Sequence, residues 1–353
     1  MLVVGGTGDN DFADFRQHYG LAGSVPIFGP YSGAFRNEGE RVTLEFPPGN
    51  RILTFEYDSN RGWPVPADGA GHSMVPLDTT VQPDGSLDYG GNWRFSTRIG
   101  GSPGRVDPPY TRSITINEFA AGTVYSNPAH PAYTSNDWIE LVNPNAGPVN
   151  MTYWYLSDDP DNLRRWPMYT TATLQADERI TLDEVHDFHN PLTTGFGIDK
   201  KGEKLFLSYL PGTAADRVVD AVRFKGQEDG LSEGHYPDAT RFYVPMPQTE
   251  NTTNARTIPR VVVSEFMYHP PDGTTTSEFV EILNPTAQTL NLWNAYGVYR
   301  IDGGGDFYFP PNTSLPPGGR LLLVNFDPAD TALMDSFKAA YGLGTLTVPV
   351  LGP

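Results

Sequence analysis

Apolar and polar residues alternate along most of this chain in short runs that predict β-strands. Ile114-Thr115-Ile116-Asn117-Glu118-Phe119 is one such run, and Asp137-Trp138-Ile139-Glu140-Leu141-Val142-Asn143-Pro144 is another. In the second, Ile139 and Leu141 alternate with Trp138 and Glu140, the period of a half-buried strand, and Asn-Pro then forces a turn. Gly202-Glu203-Lys204-Leu205-Phe206-Leu207 reads as a glycine turn entering an alternating strand. Val218 to Phe224 reads as a final strand after the Pro211-Gly212 turn. Helical spacing occurs at Phe12, Phe15 and Tyr19 before Gly20, and at Leu333, Phe337, Ala340 and Tyr341 before Gly342. A glycine suits the position just past a helix end.

These strings repeat. Val263-Ser264-Glu265-Phe266 matches Ile116 to Phe119, and Glu278 to Pro285 matches Asp137 to Pro144. Gly39-Glu40-Arg41-Val42-Thr43-Leu44 matches the Gly202 strand. Tyr19-Gly20-Leu21 with Val25 to Pro30 returns as Tyr341-Gly342-Leu343 with Val348 to Pro353. The pattern predicts the closing half of one module over residues 1–109, a complete module over 112–256 and the opening half of a third over 257–353. The chain thus reads as opening inside one copy and stopping inside another. Each half-copy carries a short helix, where the middle copy has Asp183 to Asn190. Pro108-Pro109 and Thr257-Ile258-Pro259 read as linkers. Function is then to be sought in repeated modules rather than in one enzyme-like core.

Composition narrows the classes. Gly (37) and Pro (33) are abundant, yet aromatics make 12% of the 353 residues, which predicts a folded, turn-rich β protein rather than a disordered chain. With 42 acidic and 24 basic residues the net charge is −18, a field that repels a phosphate backbone, so nucleic acid is not an expected partner. No run approaches the roughly 20 apolar residues of a membrane helix. The absence of cysteine removes disulfides, thiolate nucleophiles and the usual structural zinc sites.

The strings Ile116-Asn117-Glu118-Phe119, Asp137 to Leu141 with Asn143-Pro144, and Trp154-Tyr155-Leu156-Ser157-Asp158-Asp159 resemble a lamin-tail domain of the bacterial exported type. Gly202-Glu203 and Gly234-His235-Tyr236-Pro237-Asp238 continue the resemblance. The flanking half-copies are similar to the longer variant found in large secreted proteins, on Met267 to Pro271, Gly29 to Gly33, Trp63-Pro64, Asp68 to Ser73 and Gly100 to Gly104. The resemblance implies an all-β chain of tandem immunoglobulin-like β-sandwiches with no catalytic residues of their own. It also implies roles in tethering and binding beside the other domains of a larger exported protein.

Several groups have the residue types of a chemical site. Gly230-Leu231-Ser232-Glu233-Gly234 is a formal G-x-S-x-G beside His235. A nucleophile elbow needs a buried strand before the serine and a helix after it, whereas Gln227-Glu228-Asp229 and Pro237 flank this one, so a loop after the last strand is expected. Asp68, His72 and Ser73 hold triad residue types in a glycine-rich turn leading to a strand around Met74-Val75. Glu118 with Glu140, and Glu265 with Glu281, are carboxylate pairs, but their recurrence predicts a fold role, such as binding backbone amides. Trp138, Trp154 and Trp166 have the rings to stack on a sugar, and are expected mostly in or beside the core.

Two groups have metal-ligand chemistry. Asp183, Glu184, His186, Asp187 and His189 form a nitrogen and oxygen cluster in what reads as a solvated loop. Asp158, Asp159 and Asp161, within Ser157 to Asn162, offer hard oxygen ligands to calcium; they lack EF-hand spacing, and aspartate and asparagine also form ordinary turns. Asp302-Gly303-Gly304-Gly305-Asp306 is the matching place in the third copy. No cofactor is implied beyond that calcium.

The expected function is non-enzymatic: an array of structural or binding modules, extracellular or at the cell surface, for display, spacing or adhesion. The alternative is a carbohydrate- or polymer-binding appendage that tethers a hydrolase or kinase domain. Expected partners are other domains of a larger protein, a surface polymer or protein ligand, and other copies through the incomplete halves, with no nucleic acid and no membrane span.

Overall fold

A computed structural model describes the chain apart from residues 1, 6–8, 61, 84, 112, 169–172, 190–194, 241–242, 256–260, 295–296, 302–305 and 345–346. Strands dominate, and among the described residues the α-helices are α1 (Asp9–Tyr19) and α2 (Thr331–Ala340). Gly20 and Gly342 end them at φ +57° and +62°, the left-handed turn expected from sequence. Contacts divide the chain into two units, Met1–Arg256 and Thr257–Pro353. The expected linker at Thr257 to Pro259 lies outside the described residues.

After α1 the first unit has two antiparallel strand pairs, β1 (Gly39–Phe46) with β2 (Asn50–Asp58), and β3 (Met74–Pro76) with β4 (Trp93–Phe95). It continues through β5 (Thr115–Ala120), β6 (Trp138–Val142), β7 (Trp154–Ser157), β8 (Trp166–Pro167) and β9 (Arg179–Asp183). The last strands are β10 (Lys204–Tyr209), β11 (Arg217–Arg223), β12 (Leu231–His235) and β13 (Tyr243–Pro247). They form a four-stranded sheet in the order β8-β7-β10-β11 and a five-stranded sheet in the order β9-β6-β5-β12-β13. Ile116, Phe119, Ile139 and Leu141 of the larger sheet share one core with Leu156, Leu205, Leu207 and Val222 of the smaller. Burying one face of each sheet against the other explains the alternation in the sequence and makes a β-sandwich.

The outer face of β10–β11 is also covered. Phe206 and Val218, both fully buried, pack with Ala70, and Val65 and Ala221 lie against them. Asp68 receives Lys204 at 2.7 Å and also pairs with Arg223. Residues from the first hundred thus complete the packing of the sandwich that follows.

In the second unit β14 (Val262–Met267), β15 (Phe279–Leu283), β16 (Arg320–Val324) and β17 (Val350–Leu351) form one sheet in that order, with β16 and β17 parallel. Ile282, Leu321 and Leu323 face a core with Leu292, Phe309 and Leu315. Phe279, Leu322 and Val324 point the other way, onto Phe337 of α2. The Asp330 side chain caps that helix by accepting the amides of Ala332 and Leu333 at 3.0 and 3.1 Å.

Candidate interaction surface

In β5 a bulge between Ile116 and Glu118 shifts the register, so that Glu118 pairs with Glu140 of β6 across the sheet. The bulge reverses the alternation and turns Glu118 away from the core that holds Ile116 and Phe119. Both carboxylates are completely buried. Glu118 accepts the Ser232 hydroxyl at 2.5 Å and both the amide and hydroxyl of Thr249, at 2.9 and 2.6 Å. Glu140 accepts the Asn251 amide and the Asn117 side-chain amide, each at 2.8 Å. Burial raises the Glu140 carboxyl above its ordinary range, against the pull of Asn117, the Asn251 amide and Arg179. Asn254 donates to the carbonyls of Asn117 and His235 at 3.1 and 2.8 Å. The network fastens the segment from Thr249 to Asn254 to this sheet. The acids are occupied by backbone amides, two hydroxyls and the Asn117 side chain.

Among the described residues, the second unit repeats the framework without this closure. A bulge between Val263 and Glu265 sets Glu265 opposite Glu281, as Glu118 stands opposite Glu140. Here Glu265 is exposed, while Glu281 takes the Ser264 hydroxyl at 2.5 Å and pairs with Arg320. The counterparts of Ile116 and Phe119, fully buried in the sandwich, are Val263 at 59% exposed and Phe266 at 62%. Tyr268 lies beside Phe266 with ring centroids 5.8 Å apart. These rings border a groove of about 670 Å³ that also touches Phe279, Phe307 and Leu323.

The β1–β2 hairpin mirrors β10–β11. Glu40 accepts the Arg36 amide at 3.0 Å, and Glu203 accepts the Asp199 amide at 2.9 Å, the same local cap before each strand. Gly39 and Gly202 have φ +117° and +112°, and each presses against the end of its partner strand. A Cβ would lie 2.3 Å from the Tyr57 oxygen at the first and 2.6 Å from the Lys225 Cα at the second. Val42 and Leu44 therefore occupy the places of Leu205 and Leu207. Leu207 is wholly buried, whereas Leu44 is 54% exposed, with Phe46 exposed beyond it on the same face.

The other groups nominated from sequence have local duties. Asp158 pairs with Arg165 at 2.6 Å, and Asp159 accepts the Asp161 amide at 2.9 Å within the turn. Asp161 contributes its backbone to that turn, and among the described residues no set of three or more acids and histidines converges as a metal cluster. Asp302 to Gly305 lie outside the described residues. Asp183 to His189, expected as a solvated loop, instead enters a π-helical turn over Glu184–Phe188. Glu184 is buried in it and takes His189 at 2.6 Å and the Ser135 hydroxyl at 2.7 Å, while His186 pairs separately with Asp183. Ser232 lies within strand β12, with β13 following, so the expected loop after the last strand is corrected: alternation is masked there by glycines. Trp138, Trp154 and Trp166 are buried.

Sequence reasoning places His72 in a turn but misses its contact. Its Nε2 accepts the Val218 amide at 3.0 Å, which requires Nδ1 to carry the proton donated to the Ser96 carbonyl at 2.6 Å. Burial lowers its pKa to about 4. No family model, curated protein or solved structure matches this chain.

Proposed function

We propose that the chain is an array of lamin-tail-like modules from an exported bacterial protein, and that it serves display, spacing or adhesion at the cell surface rather than catalysis. The observation that carries this reading is the use made of the repeated polar residues. Glu118, Glu140 and Ser232 hold a backbone segment against a sheet, and Glu40 and Glu203 cap the turns before corresponding strands. Residues that recur because the fold needs them are scaffold, and catalysis would require a convergent pocket in addition.

One observation favours the alternative, a polymer-binding appendage: Phe266 and Tyr268 present neighbouring exposed rings suited to stacking on a sugar. Partition of the full chain onto insoluble cellulose, chitin and peptidoglycan separates the two. A spacer stays in the supernatant with all three. Retention that is lost in Phe266→Asp would replace the spacer reading with the appendage.

A further inference from the structure

We propose that the β1–β2 hairpin of one copy of this chain closes the open sheet of the second unit of another copy, which builds a head-to-tail assembly. This rests on reading the chain as an array of repeated modules. The template is the chain's own sandwich. There β10–β11 supplies Leu205, Leu207 and Phe224 to the core that covers Ile116 and Phe119, with the Phe119 and Phe224 rings 4.8 Å apart.

Both halves of that contact recur elsewhere in the chain, with Val263 and Phe266 exposed on one and Leu44 and Phe46 exposed on the other, where Val42 and Tyr57 are half-buried. Val263 and Phe266 are the exposed counterparts of Ile116 and Phe119, on a strand with the same bulge and the same glutamate pairing. Val42, Leu44 and Tyr57 are the counterparts of Leu205, Leu207 and Phe224, on a hairpin with the same glycine and glutamate cap. Tyr57 stands opposite Glu40 in register, as the Phe224 amide bonds the Glu203 carbonyl at 3.1 Å. A second copy is the occupant these features specify, because it brings a hairpin already folded in the geometry that covers this sheet. Exposed apolar faces beside unpaired strand edges favour such association. Since the hairpin and the sheet are different surfaces, the contact is heterologous and each bound copy offers a free surface to the next.

Sedimentation velocity on the full chain and two variants tests the proposal. The 38.8 kDa chain should form species that grow with concentration. Leu44→Asp spoils the hairpin and Phe266→Asp spoils the sheet, and each variant alone should sediment as a monomer. Both residues are surface positions, so circular dichroism and thermal melts should match the parent. Mixed in equal amounts, the variants should form a heterodimer and nothing larger, because one good hairpin and one good sheet remain. A parent that stays monomeric up to its solubility limit overturns the proposal, as does a Leu44→Asp variant that still self-associates. A monomeric parent that is also free of polymer binding leaves the spacer reading standing, so the two failures are distinguishable.

Discussion

The imidazole of His72 accepts the backbone amide of Val218 at 3.0 Å, across 146 residues of sequence. That bond requires a neutral ring, and burial holds the pKa at about 4, below its unfolded value near 6.5. Because the unfolded chain takes up the proton first, stability is intact above about pH 6.5 and falls as the pH drops towards 4. The full loss is on the order of 3 kcal/mol. Urea melts of the parent and His72→Gln across this window should show a steeper acid decline in the parent.

Glu118 and Glu265 hold the same place in their modules, yet their removal should differ sharply. Glu118→Ala removes the buried acceptor of the Thr249 amide and the main acceptor of the Thr249 and Ser232 hydroxyls, at a cost of about 3 kcal/mol. Glu265→Ala, at an exposed position, should change stability by less than about 0.5 kcal/mol. Chemical denaturation checks both, and limited proteolysis should reveal Thr249 to Asn254 as newly cleavable only in the first variant.

Substituting alanine at Gly39 or at Gly202 should destabilise the first unit by about 2 kcal/mol or more. Each glycine combines a left-handed φ with an approach that a Cβ cannot share. Alanine at Gly49, also left-handed but with open space around it, should cost only about 1 kcal/mol. Comparing the three melts separates crowding from backbone strain.

Glu203 has its pKa raised to about 7, first by burial and then by Asp158 and Asp199. Its folded pKa lies above the unfolded value near 4.5, so the native state gains stability as pH falls through 7 and loses it as pH rises. Glu203→Gln keeps an acceptor for the Asp199 amide and removes the charge. It should stabilise by roughly 1 kcal/mol at pH 8, after allowance for solvent screening, and have no effect below about pH 4.5.

Alternation alone locates β5, β6, β10 and β11 to within a residue or two, because each is a strand with at least one face in a core. Strand β2 carries the same alternation in Leu53, Phe55 and Tyr57 but is not among the strands expected above, and its place is seen only in the register with β1. The cover laid over β10–β11 by Asp68 and His72 is different. Contacts more than a hundred residues apart leave no local period, and the surrounding glycines read as a turn whatever they touch. Nor does sequence separate Phe119 from Phe266, since each sits in an identical Glu-Phe motif. Their difference lies in the packing each finds: Phe119 is buried against the Phe224 ring, whereas Phe266 is 62% exposed among the described residues.

The packing of Val65 and Ala70 against Phe206 and Val218 has a consequence for portability. Excising residues 112–256 along the boundaries of the repeat would keep both sheets and their shared interior, and would still lay bare the outer side of β10–β11. A graft of residues 112–256 would expose Phe206 and Val218 unless Val65 and Ala70 travel with it.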